Sequence, residues 1–327
     1  MHRRSFAGTE RLVSEIGLGT WQLGAEWGEV SDAETDAILS AAMESGIDFL
    51  DTADIYGRGR SEQRIGRFLK STGAKAFIAT KLGRSQDPGW PRNFDLDVMR
   101  RHAAGSCQRL GVDALDLLQL HCVPEPVLRE GRIFDHLRAL RDEGLIRAFG
   151  ASVESSEEAR LCLQQDGLAS LQIIFNVFRQ TPIETIFDTA RRRSVAIIVR
   201  LPLASGLLSG KFTRESRFGA DDHRTYNKDG AAFHAGETFA GLPFERGLEL
   251  VDELRTIAPP SVSLARMAQR WILDHDAVTT VITGATRATQ VEENASCSAL
   301  PPLPLAMHVR LRELWGARVR PLVRGKD

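Results

Sequence analysis

Eight short apolar runs alternate with longer amphipathic segments along the 327-residue chain, and this alternation restricts the fold more than any other feature. Most of the runs are almost continuously apolar, which is typical of strands buried on both faces. Strands that alternate with helices indicate a parallel sheet covered by those helices. The predicted strands are Glu15–Leu18, Asp48–Thr52, Ala76–Thr80, Leu115–His121, Arg147–Ala151, Leu171–Asn176, Val195–Arg200 and Val278–Thr283.

A parallel sheet of this kind either closes into a barrel or stays open. An open dinucleotide-binding sheet would carry a GxGxxG motif directly after its first strand, whereas the residues after Leu18 read GTWQLG. Eight strands in eight alternations favour a closed (β/α)8 TIM barrel, which takes roughly 250 residues and often carries insertions. We therefore expect a single barrel domain over residues 1–327.

The segments around the strands predict the decoration of this barrel. Arg4–Arg11 reads as an N-terminal β-hairpin that plugs the barrel bottom, and Ser31 is a plausible N-cap of the first helix. Lys211–Phe244 lacks apolar periodicity, so we expect a long loop after strand 7 that is functional or disordered. A C-terminal tail begins at Leu300 and includes the amphipathic segment Met307–Arg318. The predicted helices are Asp32–Ser45, Ser61–Lys70, Asp95–Leu110, Arg129–Glu143, Ser156–Asp166 and Glu184–Arg191.

Composition excludes several classes of protein. Forty-two basic and 43 acidic side chains leave a net charge of -1, which gives no electrostatic basis for binding nucleic acid or a membrane surface. No apolar run approaches the roughly 20 residues of a membrane helix, and no apolar region follows the basic N-terminus. The four cysteines, which form no CxxC pair, predict reduced thiols in a cytoplasmic protein. They are Cys107, Cys122, Cys162 and Cys297.

Ionisable side chains lie at or just beyond the ends of three consecutive predicted strands. Asp51 and Tyr56 follow the second strand, Lys81 the third, and His121 ends the fourth. The chemistry of a (β/α)8 barrel is carried out at the C-terminal ends of its strands, so these four residues are expected at one rim.

This set suits hydride addition to a carbonyl, which creates an alkoxide that needs a proton. A free tyrosine has a pKa of about 10, and the ammonium of Lys81 would lower the pKa of Tyr56. Asp51 would keep Lys81 charged, while His121 would hydrogen-bond the carbonyl oxygen. An Asp–Lys pair on its own is more often a structural salt bridge. A single buried His is more often a core residue whose hydrogen bonds are all made. Together at one rim, they indicate catalysis.

The segment GIDFLDTADIYG at residues 46–57, followed by Ser61-Glu62, resembles the signature of the aldo-keto reductase family. Thr80-Lys81 and Leu120-His121 fall where that family has its lysine and histidine, and Gly17–Trp21 resembles its first strand. The likeness runs from about Arg4 to Ala299. It implies a (β/α)8 barrel that binds NAD(P)H at the C-terminal rim without metal, with Asp51, Tyr56, Lys81 and His121 as the catalytic tetrad.

The resemblance also implies cofactor-binding residues. Ser152 and Gln172 would bind the nicotinamide carboxamide, and the loop from Leu203 to Lys211 would cover the pyrophosphate. Glycines let backbone N–H groups of such a loop approach phosphate oxygens. The full set of cofactor candidates is Gly19, Thr20, Trp21, Ser152, Gln172, Arg200, Pro202, Leu203, Ser205, Gly206, Leu208, Gly210, Lys211, Gly284, Ala285, Thr286, Arg287, Gln290, Glu293 and Asn294.

Three positions depart from the common family pattern. Val153 stands where many members have Asn, and Arg200 stands where many stack an aromatic ring on the nicotinamide. A guanidinium plane can also stack, but its charge should disfavour the oxidised cofactor. Gln290 stands where many members that prefer NADPH have Arg; Arg287 either replaces it or is a solvated residue at a helix start. NADP(H) is the preferred prediction, and NAD(H) is the alternative.

The predicted partner is a small-molecule carbonyl compound or alcohol, and nothing in the sequence indicates an oligomer. The substrate candidates are Trp21, Trp27, Asp54, Tyr56, Trp90, His121 and the loop Gly83–Phe94. Two alternatives remain: a weakly catalytic family member that senses cofactor for a partner, and a metal-dependent barrel enzyme. The second would use Asp51, Asp54 and His121 as ligands, although Lys81 beside them would compete with a cation.

Overall fold

A computed structural model describes residues 1–24 and 30–325 of the chain. Trp27, one of the candidate substrate residues, lies outside the described residues. In order along the chain, the strands are β1 Arg3–Phe6, β2 Arg11–Ser14, β3 Ile16–Gly19, β4 Phe49–Asp51, β5 Phe77–Leu82, β6 Leu117–His121, β7 Phe149–Ser152, β8 Leu168–Ile174, β9 Ala196–Arg200 and β10 Val278–Gly284.

Strands β3 to β10 form a closed parallel barrel in chain order, with β10 paired to β3. Nearly every residue of these strands is buried, because the inner face packs in the barrel and the outer face packs under the helices. The structure therefore confirms the predicted (β/α)8 TIM barrel and all eight predicted strands to within a few residues at each end. The seventh barrel strand of the prediction is β9.

Helices surround the barrel. The first begins at the predicted N-cap, where the Ser31 hydroxyl accepts from the backbone N–H of Glu34 and the Glu34 carboxylate accepts from the Ser31 N–H. The helices are α1 Asp32–Glu44, α2 Arg60–Thr72, α3 Leu96–Leu110, α4 Glu125–Glu130, α5 Arg132–Asp142, α6 Ser156–Leu163, α7 Pro182–Thr185, α8 Phe187–Arg192, α9 His223–Tyr226, α10 Phe244–Arg255, α11 Leu264–Leu273, α12 Ala288–Ala295 and α13 Leu305–Leu314.

Two segments that were each predicted as one continuous helix are each divided into two helices, so these two predictions were wrong. The segment Arg129–Glu143 is divided into α4 and α5 at Gly131, whose φ of 83° is in the left-handed region and ends α4. The segment Glu184–Arg191 is divided between α7 and α8 at Ile186. Helices α10 and α11, which precede β10, were not assigned from the sequence.

The predicted hairpin is formed by β1 and β2, which pair antiparallel. It closes the lower end of the barrel with Phe6, whose fully buried ring lies 4.8 Å from that of Phe77 and 6.0 Å from that of Phe49. Arg4 fixes the hairpin to the start of the last strand, since its guanidinium donates to the carbonyl oxygens of Leu273 and Val278 at 2.6 and 2.7 Å. The barrel floor is thus a hydrophobic plug.

The long loop after β9 is confirmed as well. Residues 211–244, called the 211–244 segment below, contain the short helix α9 and two 3-10 turns, Ala235–Glu237 and Phe239–Gly241. A cluster of phenylalanine rings holds it together, with Phe218 lying 5.1 to 5.8 Å from Phe212, Phe239 and Phe244. The C-terminal tail is α13, continued by Trp315–Val319. Among the described residues, no helix is both long and apolar enough to cross a membrane.

Candidate active site

The side chains inside the barrel change from apolar at the floor to polar at the upper rim. Alternate residues of a strand point to the same face, so each barrel strand contributes an inward series. Phe49 lies in the floor cluster and is followed by Asp51, while Phe77 and Ala79 are followed by Lys81. In β6 the inward series runs from Leu117 through Gln119 to His121. The strand register therefore brings Asp51, Lys81 and His121 to the same rim.

Lys81 is the centre of the polar layer. Its ammonium is almost fully buried and donates to Asp51 Oδ1 at 2.5 Å, to the carbonyl oxygen of Thr52 at 2.9 Å and to the Tyr56 hydroxyl at 3.4 Å. Tyr56 reaches this position from the loop after β4, where its N–H donates to the carbonyl oxygen of Ala53. The four candidate residues Asp51, Tyr56, Lys81 and His121 are thus brought together.

Burial and charge act against each other on Lys81 and Tyr56. Burial alone would lower the pKa of the Lys81 ammonium, but the negative charge of Asp51 and the contact with Tyr56 more than offset it, so this pKa is raised. Burial raises the pKa of Tyr56, and the positive charge of Lys81 lowers it only in part. The expectation that Lys81 would bring this pKa below its ordinary value was therefore wrong, because burial of the phenol outweighs the nearby charge. At neutral pH, Lys81 therefore stays charged and Tyr56 stays protonated.

His121 faces Tyr56 across the rim, with the two rings edge-on and 5.8 Å apart. Its pKa lies well below the usual histidine value, because the ring is buried and because Arg84, Lys81 and Arg200 add positive charge nearby. The imidazole is neutral at pH 7 and keeps one N–H donor. Its Nδ1 makes no hydrogen bond to any residue that the structure describes.

Ser152 and Gln172, the expected carboxamide partners, are joined to the same network. The Ser152 hydroxyl donates to Gln172 Oε1 at 3.2 Å, and Gln172 Nε2 donates to Asp51 Oδ2 at 2.7 Å. A continuous chain of hydrogen bonds therefore runs from Ser152 through Gln172, Asp51 and Lys81 to the hydroxyl of Tyr56.

A cavity of about 290 Å³ opens above this layer. The indole ring of Trp21 forms one wall and stacks on Tyr56 at 6.0 Å, and Phe233 of the 211–244 segment also lines the cavity. The lining residues are Gly19, Thr20, Trp21, Gln22, Asp51, Ile55, Tyr56, Arg84, His121, Cys122, Ser152, Gln172, Arg200, Leu201, Phe233, Glu237, Ile282 and Gly284.

The cavity suits the nicotinamide end of a dinucleotide. It combines apolar and aromatic walls with buried polar atoms that have no hydrogen-bond partner among the described residues, namely Gln22 Oε1, His121 Nδ1 and Arg200 Nε. An unpaired buried polar atom is costly in a folded protein, so a ligand that supplies the missing partners would be bound favourably here. A flat ring that carries an amide meets both requirements.

Several predicted cofactor residues do not line this cavity, but they lie in the chain segments that follow the lining residues Leu201 and Gly284. Leu201 joins β9 to the loop Leu203–Lys211, in which Gly206 and Gly210 adopt φ values of 91° and 69° that favour glycine. A methyl group on Gly206 would approach the Phe212 ring to 3.0 Å. The residues of the two outer segments are Pro202, Leu203, Ser205, Gly206, Leu208, Gly210 and Lys211 after β9, and Ala285, Thr286, Arg287, Gln290, Glu293 and Asn294 after β10.

The side chain of Gln290 is used within the turn that precedes α12. Its Oε1 accepts from the backbone N–H of Thr286 at 2.8 Å and from the Thr286 hydroxyl at 3.2 Å, while Arg287 is the N-cap residue of α12. Asn294 is buried and accepts from Gln269 Nε2 at 2.9 Å. These contacts use the side chains of Gln290 and Asn294 within the protein, whereas the Arg287 side chain is exposed and makes no cap hydrogen bond.

Two substrate candidates are not brought to the cavity: of the residues that the structure describes, neither Asp54 nor Trp90 lines it. Trp90 is 59% exposed and packs edge-on against Phe94. Asp54 turns toward Glu62 and Arg109, under α2. Both were expected at the cavity because their segments follow barrel strands, but neither side chain is among the residues that line it.

Asp54 should therefore affect stability. Burial, followed by the negative charge of Glu62, raises the pKa of Asp54 to about 7. Because the folded pKa lies above the ordinary value of 3.8, stability is full below about pH 4 and is lost as the pH rises to about 7. We expect Asp54→Asn to stabilise the protein more at pH 8 than at pH 5, by about 2–3 kcal/mol, in urea unfolding.

The exposed carboxylate of Asp221 offers a matched control for this substitution. Asp221→Asn should change the free energy of unfolding equally at both pH values. If Asp54→Asn behaves in the same way, Asp54 is ionised in the folded protein at no cost.

Sequence reasoning missed seven lining residues: Gln22, Ile55, Cys122, Leu201, Phe233, Glu237 and Ile282. Arg84 belongs to the candidate loop Gly83–Phe94, and Cys122 could have been found, since it comes directly after His121. Phe233 and Glu237 belong to the 211–244 segment, in which no apolar periodicity indicates which side chains face the cavity.

Cys122, Glu154 and Glu237 are the one group among the described residues whose atoms lie close enough together to hold a metal ion. Cationic side chains already face them: Arg84 lies 3.6 Å from Glu154, and Arg200 pairs with Glu237. Burial raises the pKa of Cys122 to about 11, so its thiol is neutral. The negative charges of Glu154 and Glu237 are thus balanced by arginine side chains of the protein itself.

The model of the aldo/keto reductase family matches residues 15–315. Aldo-keto reductase YhdN of Bacillus subtilis is 30% identical over 306 residues, which cover 89% of this chain and 87% of that protein. Aldo-keto reductase yakc [NADP(+)] of Schizosaccharomyces pombe is 28% identical, covering 86% and 83%. The structure is similar to that of glycerol dehydrogenase AKR11B4 from Gluconobacter oxydans, with a TM-score of 0.79 and 28% identity over 97% of this chain and 96% of that chain.

Proposed function

The chain belongs to the aldo/keto reductase family, and from this membership we propose that it reduces an aldehyde or ketone with NAD(P)H, with Tyr56 as the proton donor. The reverse reaction, oxidation of the corresponding alcohol or sugar, uses the same groups. One observation carries the proposal: the Lys81 ammonium is held between Asp51 and the Tyr56 hydroxyl, at 2.5 and 3.4 Å.

The pKa of Tyr56 lies above its ordinary value in this structure, so the arrangement acts on the phenolate that forms during the reaction. When hydride reaches the carbonyl carbon, negative charge develops on the oxygen, and the Tyr56 hydroxyl can transfer its proton there. The charge then left on Tyr56 lies beside the ammonium of Lys81, in a buried site where such an interaction is strong. Asp51 keeps Lys81 protonated throughout, so the phenolate is stabilised as it forms.

His121 would orient the substrate. Its imidazole is neutral and lies edge-on to Tyr56, so an N–H from the ring and the O–H of Tyr56 can both reach one carbonyl oxygen. Trp21, stacked beside Tyr56, would hold an apolar part of the substrate and exclude water from the reaction.

The cofactor supplies hydride when bound. We propose that Ser152 and Gln172 hold its carboxamide and that the loop Leu203–Lys211 covers its pyrophosphate with backbone N–H groups. NADP(H) is the preferred cofactor of the proposal, supported by the relative from Schizosaccharomyces pombe whose name includes NADP(+). NAD(H) is the alternative, because Gln290 carries no charge for a 2′-phosphate.

The first test is a titration of the purified protein with NADPH and with NADH, followed by the fluorescence of its tryptophans. Trp21 lines the cavity, so binding there should quench its emission. An assay with 4-nitrobenzaldehyde then measures turnover. We expect micromolar binding of at least one cofactor and reduction of the aldehyde.

The outcomes separate the candidate functions. Binding without turnover of any simple carbonyl compound would favour the cofactor-sensing role, in which the 211–244 segment or the tail would contact a partner. No binding of either cofactor would contradict the proposal as a whole.

A further inference from the structure

We infer that Glu237 is a positioning residue that neutralises Arg200 and thereby sets the relative affinity of the site for the oxidised and reduced cofactor. The inference rests on the proposed function and adds to it a role for the 211–244 segment. It concerns binding alone, so it can be tested without a substrate.

Arg200 brings a full positive charge to the cavity. It is the last residue of β9, and its side chain is 10% exposed. Its Nη2 donates to the carbonyl oxygen of Val153 at 2.9 Å and lies 3.8 Å from Cys122 Sγ. The hydrogen bond to a backbone carbonyl fixes the guanidinium in place, but a carbonyl oxygen cannot neutralise its charge.

Glu237 is the group that neutralises it. Its carboxylate pairs with Nη1 of Arg200, and the side chain is 13% exposed. Burial would raise the pKa of Glu237, but Arg200 more than offsets this and the pKa is lowered, so the pair is ionised. Glu237 is 37 residues from Arg200 in the chain, and its backbone carbonyl accepts from the Ser205 hydroxyl at 2.9 Å. The hydrogen bond from Ser205 thus holds the 211–244 segment where the Glu237 carboxylate contacts Arg200.

The other charges near the pair are balanced as well. Arg84 and Glu154 face each other at 3.6 Å on the same side of the cavity, and Lys81 is paired with Asp51. Removing the charge of Glu237 would therefore leave one uncompensated cation at the cavity wall.

A nicotinamide ring that transfers hydride to a carbonyl beside Tyr56 must enter this cavity, which Arg200 lines. The ring is positively charged when oxidised and neutral when reduced. An unpaired guanidinium would repel the oxidised ring and leave the reduced ring nearly unaffected, because charge repulsion is strong in a partly buried site. The carboxylate of Glu237 cancels this repulsion, which allows both forms to bind.

A purely structural role of Glu237 predicts something different. If the carboxylate only anchored the 211–244 segment, its loss would weaken both cofactor forms by the same factor. The ratio of the two dissociation constants therefore separates the roles, whatever happens to affinity overall.

The experiment measures dissociation constants of NADP+ and NADPH by isothermal titration calorimetry, or of NAD+ and NADH if the wild-type protein prefers that pair. We expect Glu237→Gln to raise the ratio of Kd for the oxidised form to Kd for the reduced form by about tenfold or more. Arg200→Met should shift the ratio in the opposite direction. The double variant, which removes the pair as a unit, should return close to the wild-type ratio.

Glu215→Gln is the matched control, since Glu215 is an exposed carboxylate of the same segment, and it should leave the ratio unchanged. The single variants test the charge effect in two directions, so either one suffices if the other fails to fold. An unchanged ratio in a folded single variant, or a double variant that keeps the ratio of Glu237→Gln, would overturn the inference alone. Failure of the wild-type protein to bind any cofactor would overturn it together with the proposed function.

Discussion

Replacing Tyr56 by Phe should lower the rate of carbonyl reduction by at least about 10²-fold, the usual size of a general acid effect, while cofactor affinity stays close to wild type. The substitution removes one oxygen, which is the atom that lies 3.4 Å from Lys81 Nζ. The ring can remain stacked on Trp21, so the cavity keeps its shape. Steady-state kinetics with 4-nitrobenzaldehyde and a cofactor titration measure the two effects separately.

The chain contains two tyrosines, and the second is a convenient control. Tyr226 belongs to the 211–244 segment and is 44% exposed. Tyr226→Phe should retain full turnover. Full turnover in Tyr56→Phe as well would mean that another group supplies the proton, and the mechanism proposed for Lys81 and Asp51 would have to be abandoned.

Replacing Phe6 by Ala should destabilise the fold by about 3–5 kcal/mol, as is usual for a fully buried aromatic side chain. Phe6 is the plug of the barrel floor and contacts the rings of Phe49 and Phe77. Those two residues begin the strands that end near Asp51 and Lys81. The substitution is therefore expected to lower stability in two ways, by leaving a cavity and by weakening the closure of the barrel. Equilibrium unfolding in urea, followed by circular dichroism, measures it.

Leu12 provides the comparison within the same hairpin, because its side chain is 58% exposed. Leu12→Ala removes a similar kind of apolar group from the surface and should cost about 0.5 kcal/mol or less. If Phe6→Ala costs no more than Leu12→Ala, the hairpin does not contribute to closing the barrel.

The strands were predictable because each is a short, almost continuously apolar run, separated from the next by an amphipathic segment. In a parallel barrel both faces are covered, so hydrophobicity alone marks the element. The helices were less predictable at their interruptions. Gly131 interrupts an otherwise regular apolar periodicity between α4 and α5, and a single glycine within a helical pattern is often tolerated.

The candidate site was predictable to the extent that it is attached to strand ends. Lys81 and His121 could be placed at one rim from chain order alone, since parallel strands all end on the same side. Glu237 could not. Its segment has no repeating pattern, and its position depends on contacts between segments distant in the chain, such as the hydrogen bond from the Ser205 hydroxyl to the Glu237 carbonyl oxygen.

Asp54 and Trp90 show the converse. Both belong to segments that follow barrel strands, yet neither side chain lines the cavity. Sequence position fixes the end of a strand at which a residue lies, whereas the dihedral angles of the loop decide which way the side chain points.

The division of the cavity between strand ends and the 211–244 segment has a consequence for how such a protein can diverge. The spacing of Asp51, Lys81 and His121 is set by backbone hydrogen bonds between neighbouring strands, which tolerate little change. Glu237 and Phe233 come from one continuous stretch of chain outside the sheet. Mutations in that stretch can therefore change the lining of the cavity while the groups at the strand ends stay in place.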